Sequence, residues 1–393
     1  MNIPFSPPSI TQKEIDAVVE VLKSGWITTG PKTKEFESLL ANYCNASSAL
    51  CLSSATAGME LVLRLFDIGP GDEVITSPYT FAATANVILH VGATPVFADI
   101  SEKDFNLDPQ KVAPFINERT KAIIPVDFAG LPCDYQAFEQ LAMAKNFLFK
   151  PKKKSLQEKL GRILILADAA HSFGSFYQGE KTGIHADFSV FSFHAVKNLT
   201  TAEGGAVLFN DIQDVLASDI YNQLRLLSLH GQSKDALAKM QAGSWFYTIE
   251  NDGYKYNMTD MAAALGVAQL SRYDSEILPA RKKIFDAYSA SLCNFKEVLL
   301  PLEASKWGQT NYHLYPLRLK DPLKRDALIN FLAQNQISAN VHFIPVNYHP
   351  FYQKLGYHHL GTPLAYENFL KEVSLPIYPH LTLEQVQRVA EKI

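Results

Sequence analysis

Strand-length apolar runs alternate with helix-length segments through the first two-thirds of the chain, and this alternation limits the fold more than any other feature. The runs are Asp72–Thr76, Thr94–Ala98, Ala122–Val126, Ile163–Ala167, Phe188–Phe193 and Gly205–Phe209. Helical spacing marks Thr11–Lys23, with Ile15, Val18, Val19 and Leu22 on one side, and also Thr56–Phe66 and Phe81–Val91. Strands separated by helices predict a parallel sheet covered on both faces. Beyond residue 250 the pattern loosens into an apolar helix near Met258–Leu270 and alternating stretches at His313–Leu319 and Ile337–Phe343. The expectation is an α/β protein with a large domain over 1–250 and a smaller C-terminal α+β domain over 251–393.

With 47% hydrophobic and 19% charged residues, 393 residues supply ample apolar surface for an ordered core. The net charge of −4 offers no general attraction to nucleic acid or to an anionic membrane. Cys44, Cys51, Cys133 and Cys293 lack metal-ligand spacing and are too sparse for a disulfide framework. No apolar stretch approaches the roughly 20 residues of a membrane span, so a soluble cytoplasmic protein is expected. The basic stretch Lys150–Lys159 reads as a solvated loop.

Four segments carry chemistry. Ile163–His171 is an apolar strand ending in Asp168, and strand ends are where ligands gather in α/β sheets; alone, such an Asp is as readily a turn or cap residue. After the strand Ser189–Phe193 comes a loop bearing Lys197, with Ser192 and His194 before it and Gly204 and Gly205 behind it. A lysine held between apolar strands is desolvated, which lowers its pKa and readies its amine to attack an aldehyde. Ser54, Ala55 and Thr56 open an apolar helix, a place suited to a phosphate or to simple capping. Phe81 follows another strand and can stack on an aromatic ring or pack in a core. An amine, a carboxylate, a phosphate cradle and a stacking face together are the requirements of pyridoxal phosphate (PLP).

At these residues the chain resembles the DegT/DnrJ/EryC1/StrS-type sugar aminotransferases, fold-type I PLP enzymes that aminate nucleotide-linked keto-sugars. The resemblance runs through SGWITTGP, SSATAGM, GDEVITSPYTFAATAN, GATPVFADI, RTKAIIPVDFAG, DAAHSFGS, SFHAVKNLTTAEGG and GYKYNMTDMAAALGVAQL. It implies a large domain with a mostly parallel sheet and a small C-terminal domain. By position it makes Lys197 the cofactor-bearing lysine and proton shuttle, and Asp168 the partner of the ring nitrogen. His171, at a site that is Gln in many members, would lie close to the ring, with Phe81 stacked on it. Ala55, Thr56 and Ser192 would hold the phosphate. Gly253–Met258, with Lys255 where Asn is usual and Asn257 where Arg is usual, would reach the phosphate of a neighbouring subunit in a homodimer with shared sites.

The resemblance further implies a ping-pong transfer from glutamate to a 4-keto sugar, for surface glycan biosynthesis. Trp26, Thr28, His313 and His342 become candidate substrate contacts, and no metal is implied. His171, YKYN and SFHAVKN are most similar to the branch forming UDP-4-amino-4-deoxy-arabinose; NYHLYPLRL and VHFIPVNYHPFY are more similar to a branch acting on UDP-4-keto-6-deoxy-hexosamines. The nucleotide, UDP or dTDP, and the sugar, pentose or 6-deoxyhexose, stay open. Two rivals remain in view: a PLP-dependent sugar dehydratase, in which histidine replaces the lysine, and a non-catalytic sensor or scaffold retaining the fold. Lys197 speaks against the first, and the presence of both Lys197 and Asp168 against the second.

Overall fold

A computed structural model describes residues 2–234 and 245–393. Its centre is a seven-stranded sheet built from β1 (Ser48–Leu52), β2 (Glu73–Thr76), β3 (Thr94–Phe97), β4 (Thr120–Ile124), β5 (Leu164–Asp168), β6 (Phe188–Ser192) and β7 (Gly205–Phe209), in the order β1-β7-β6-β5-β4-β2-β3. Alternate residues feed the two faces. Ile123, Ile165, Phe191 and Leu208 enter one core, and Ile124, Leu166, Val190 and Val207 the other. Each such side chain contributes roughly 1.5–3 kcal/mol on leaving water, and a one-residue slip would exchange equally apolar faces but misplace every strand-end polar group.

The sheet is mostly parallel, as the resemblance implies, with one exception. Strand β7 runs antiparallel to both β6 and β1, while the other pairings are parallel. The cause is local: residues 193–204, between β6 and β7, contain no helix to carry a parallel crossover, so the chain turns back on itself. Strand β1 escaped the sequence reading.

Helices α1 (Gln12–Ser24), α2 (Pro31–Cys44), α3 (Ala55–Leu65), α4 (Ala82–His90), α5 (Tyr135–Ala144) and α6 (Ala217–Ser228) belong to this part of the chain. Helix α1 is capped by Thr11, whose N–H and hydroxyl both donate to Glu14 at 2.6 Å. Its buried residues are Glu14 and Val21, whereas the expected apolar side is largely open, with Ile15, Val19 and Leu22 exposed. Glu14 faces inward because Arg272 and Gln269 bind its other oxygen.

Those partners lie on or just beyond α7 (Asp260–Ser271), which packs beside α1 and α2. Helices α8 (Leu278–Leu292), α9 (Arg325–Gln334), α10 (Pro363–Lys371) and α11 (Leu383–Ala390) follow, around a second sheet of β8 (Val298–Leu299), β9 (Tyr315–Leu319) and β10 (Glu372–Leu375), ordered β8-β9-β10. Its core includes Phe285, Leu317, Val373 and Leu375 together with Ile3, which bridges to Ile337. Met258 and Ala263 belong to the large-sheet core instead, so a division at residue 250 separates α7 from the core it fills. The stretch Ile337–Phe343 forms bridges at Ile337 and Asn340 rather than a strand. Within Lys150–Lys159, Lys152 pairs with Asp67 and Lys159 with Asp214 on the surface.

Gly205 begins β7 against the first residue of α3. A Cβ there would lie 2.4 Å from Ala55 N and 2.8 Å from Phe191 O, both backbone atoms that cannot step aside. Gly205→Ala is expected to cost about 1–3 kcal/mol in urea unfolding, the usual overpacking range, and to loosen the start of α3; an unchanged midpoint would contradict this placement.

Candidate active site

The C-terminal ends of β1, β2, β4, β5 and β6 and the N-terminal end of β7 meet at one edge of the large sheet. Asp168 closes β5, Ser192 closes β6, and Ala55 and Thr56 open α3 just beyond β1. A pocket of about 380 Å³ opens there. It is lined by Ala55, Thr56, Phe81, Asp168, His171, Ser192 and Lys197, with His313 and His342 arriving from the C-terminal part of the chain. Nine of the residues singled out in the sequence thus come together. Phe81 stands at the mouth, 67% exposed, which removes the core-packing alternative.

Three do not reach the pocket within one chain. Lys255 is exposed on a segment bridged to Leu229. Trp26 donates from its indole to Thr29 O and sits against Gly30, and Thr28 is exposed, its carbonyl accepting from the Asp260 amide.

Burial acts oppositely on the two central charges. Lys197 is half-buried at the pocket wall, and loss of solvent lowers its amine from the usual 10.5 to about 8, against an opposing pull from Asp168. Asp168 is buried and pushed upward by the same desolvation. Its carboxylate is steadied by the Thr84 hydroxyl at 2.6 Å and the Ala170 amide at 3.3 Å, with Lys197 adding attraction. Thr84 lies in the first turn of α4 and bonds Thr80 in addition.

Of the histidines lining the pocket, His171, His313 and His342 are held neutral. Desolvation first, and Lys197 next, push His171 well below its ordinary range; His342 falls to about 3 for the same reasons. His313 is lowered likewise by burial, with His171 as the leading charge effect. The His171 and His313 rings are 4.4 Å apart, and His171 stacks on Phe343 at 5.8 Å. His313 Nδ1 lies 3.0 Å from Asn198 Oδ1, and Asn311 donates to the His171 carbonyl. The sequence reading missed Thr84, Asn198, Phe343, Glu372 and Ser374. Of these, the polar-apolar alternation of Glu372-Val-Ser-Leu375 was the one local signal available.

The first two amides of α3 have no acceptor inside the helix, since Ser54 Oγ takes the Ala57 amide and Ser54 O the Gly58 amide. Beside them stand the Ser192 hydroxyl, a deprotonatable amine and a buried carboxylate. That donor set fits PLP: an anion site at a helix start, an amine for the aldehyde and an acid for the ring nitrogen.

Comparison with known proteins agrees with this chemistry. Residues 8–393 match the model of the DegT/DnrJ/EryC1/StrS aminotransferase family. The chain is 40% identical to the spore coat polysaccharide biosynthesis protein SpsC of Bacillus subtilis (strain 168), covering 100% of this chain and 96% of that protein. It superposes on Spr1654 of Streptococcus pneumoniae, assigned as a sugar aminotransferase, in the PMP-form with a TM-score of 0.95 at 44% identity, covering 100% and 98% of the two chains. The PLP-form of that protein gives 0.93. Helicobacter pylori PseC, an aminotransferase involved in the biosynthesis of pseudoaminic acid, matches with a TM-score of 0.87 at 30% identity over 100% of this chain and 98% of that one.

Only the neutral amine attacks an aldehyde, so a lysine at about 8 sets the pH response of cofactor loading. The loading rate of apo protein with PLP should rise about tenfold per pH unit below 8 and level off above it, read by absorbance in a stopped-flow series. A rate still climbing through pH 10 would show an unperturbed lysine.

Proposed function

Because the chain belongs to the DegT/DnrJ/EryC1/StrS aminotransferase family, we propose that it transfers an amino group from glutamate to the 4-keto carbon of a nucleotide-linked sugar. By family the enzyme is a PLP-dependent sugar aminotransferase; glutamate as donor, the 4-keto sugar as acceptor and the residue roles are proposed. The observation that supports it most is the burial of Lys197 and Asp168 in one pocket beside the first turn of α3.

In this reading, the amides of Ala55 and Thr56 and the hydroxyl of Ser192 hold the phosphate. Asp168, whose ionised form is favoured by Thr84, Ala170 and Lys197, would hold a proton on the ring nitrogen. When bound, PLP supplies the electron sink for a carbanion next to nitrogen. Lys197 would bear the cofactor and would act as the base that takes up and returns the proton; its lowered pKa suits a base working near neutral pH. Phe81 and His171, both lining the pocket, would pack against the ring. His313 and His342, neutral and facing the pocket from the C-terminal part of the chain, contact the sugar.

The acceptor is a UDP-4-keto pentose or a UDP- or dTDP-linked 4-keto-6-deoxyhexose, and the product a 4-amino sugar for surface glycan. A homodimer with shared sites gives Lys255, Trp26 and Thr28 a place to act, at the pocket of the neighbouring copy. A cytoplasmic site of action is supported by the absence, among the described residues, of any helix long and apolar enough to cross a membrane, and by four free cysteines.

Incubation with glutamate and a panel of UDP- and dTDP-linked 4-keto sugars, read by mass, should give one aminated product. Lys197→Ala should lower its formation by about 10³-fold or more, within the range of general acid-base and nucleophilic contributions; a variant that still transfers amines overturns the role. Mixing inactive Lys197→Ala with an impaired Lys255→Ala protein should restore part of the activity, since mixed dimers contain one intact site. No recovery from two impaired proteins would argue for sites confined to single chains.

A further inference from the structure

A hydrogen-bond chain runs from the interior of the small sheet to the pocket. Glu372 and Ser374 are two residues apart on β10 and therefore project from one face, while Val373 and Leu375 turn into the small core. The residue they meet is His342. Its backbone N–H donates to Glu372 Oε2 at 2.8 Å, and its ring Nδ1 lies 2.8 Å from Ser374 Oγ, which in turn bonds Glu372 Oε1. Glu372 and Ser374 are wholly buried, whereas His342 lines the pocket. With Nδ1 tied to Ser374, Nε2 is the ring nitrogen left for an incoming ligand.

We propose that Glu372, Ser374 and His342 form a proton relay from a buried carboxyl to the pocket, ending at His342 Nε2. In the loaded state the Glu372 carboxyl donates to Ser374 Oγ, Ser374 donates to Nδ1, and Nε2 carries a hydrogen. When Nε2 gives that hydrogen to a substrate oxygen, the Ser374 proton passes to Nδ1 and the Glu372 proton to Ser374. Glu372 is left as a carboxylate and His342 as the other neutral tautomer; one proton has moved and no electron has. The receiving oxygen, on the proposed function, is the sugar carbonyl oxygen that departs as water, so the relay rests on that reading for its substrate.

The surroundings explain why a relay is needed. Burial and the Lys197 charge hold His342 neutral, so an imidazolium cannot serve as the acid. The ring can yield a proton only if another arrives at Nδ1 in the same event, and Ser374 stands there. His171 and His313 also feel His342 and are themselves neutral. Facing Glu372, desolvation raises its pKa to about 8, against the Ser374 hydroxyl, the His342 amide and Arg325 from α9, while Tyr79 packs close enough to sense its charge. A carboxyl in that position holds a proton near neutral pH and can release it.

The test is the His342 tautomer, read by nitrogen NMR on protein labelled at histidine, with His342→Gln identifying the signals. From about pH 6 to pH 10, the wild type should exchange an Nε2–H form for an Nδ1–H form as Glu372 ionises. Glu372→Gln, whose amide still donates to Ser374 and whose oxygen still accepts from the His342 N–H, should stay in the Nε2–H form throughout. Ser374→Thr should retain the exchange and Ser374→Ala lose it. Glu372→Gln should also lower kcat for the keto-sugar by about 10²-fold. A tautomer that does not change in the wild type, or a Gln variant with full kcat, overturns the relay. The tautomer reading needs no turnover, so it stands or falls separately from the choice of substrate.

Discussion

The amine of Lys197 and the carboxyl of Asp168 share one desolvated pocket, and burial drives both toward neutrality while their mutual attraction drives both toward charge. Much else in the site follows from that balance. Thr84 and the Ala170 amide are spent on keeping Asp168 ionised, and the residual charge of Lys197 helps hold His171 and His342 neutral. A pocket in which one tunable amine faces the neutral imidazoles of His171, His313 and His342 is suited to moving protons among uncharged carbonyl and hydroxyl oxygens.

The sheet delivers these groups because its parallel strands end at a common edge and β7 starts there. The loop carrying Lys197 is the link that makes β7 antiparallel, so the departure from a uniform parallel sheet and the placement of the reactive amine have one cause. The small sheet completes the pocket from the other side, with His313 just ahead of β9 and His342 held against β10.

Asp168 and Lys197 were legible in the sequence because apolar strands flank them, and an ionisable group at the end of such a strand is conspicuous. The same reading missed β1, whose short Ser-Ala-Leu-Cys-Leu run carries little period, and gave β7 no direction, since direction depends on what the intervening loop contains. It found α1 but not the inward turn of Glu14, which is set by Arg272, far away in the chain. Thr84 and Asn198 act through partners remote in sequence, so no local pattern exposes their work, and the alternation at Glu372 and Ser374 marks a strand face without naming what it meets. Lys255, Trp26 and Thr28 were chosen by resemblance and lie outside the pocket of a single chain, which is why their roles turn on a second copy.

The central claim is that Lys197 is the amine that meets the cofactor. Borohydride reduction of the PLP-loaded protein, followed by proteolysis and mass spectrometry of the peptides, measures this directly. The account predicts a single modified peptide, the one containing Lys197. Modification spread over several surface lysines, or confined to another residue with Lys197 untouched, would contradict it.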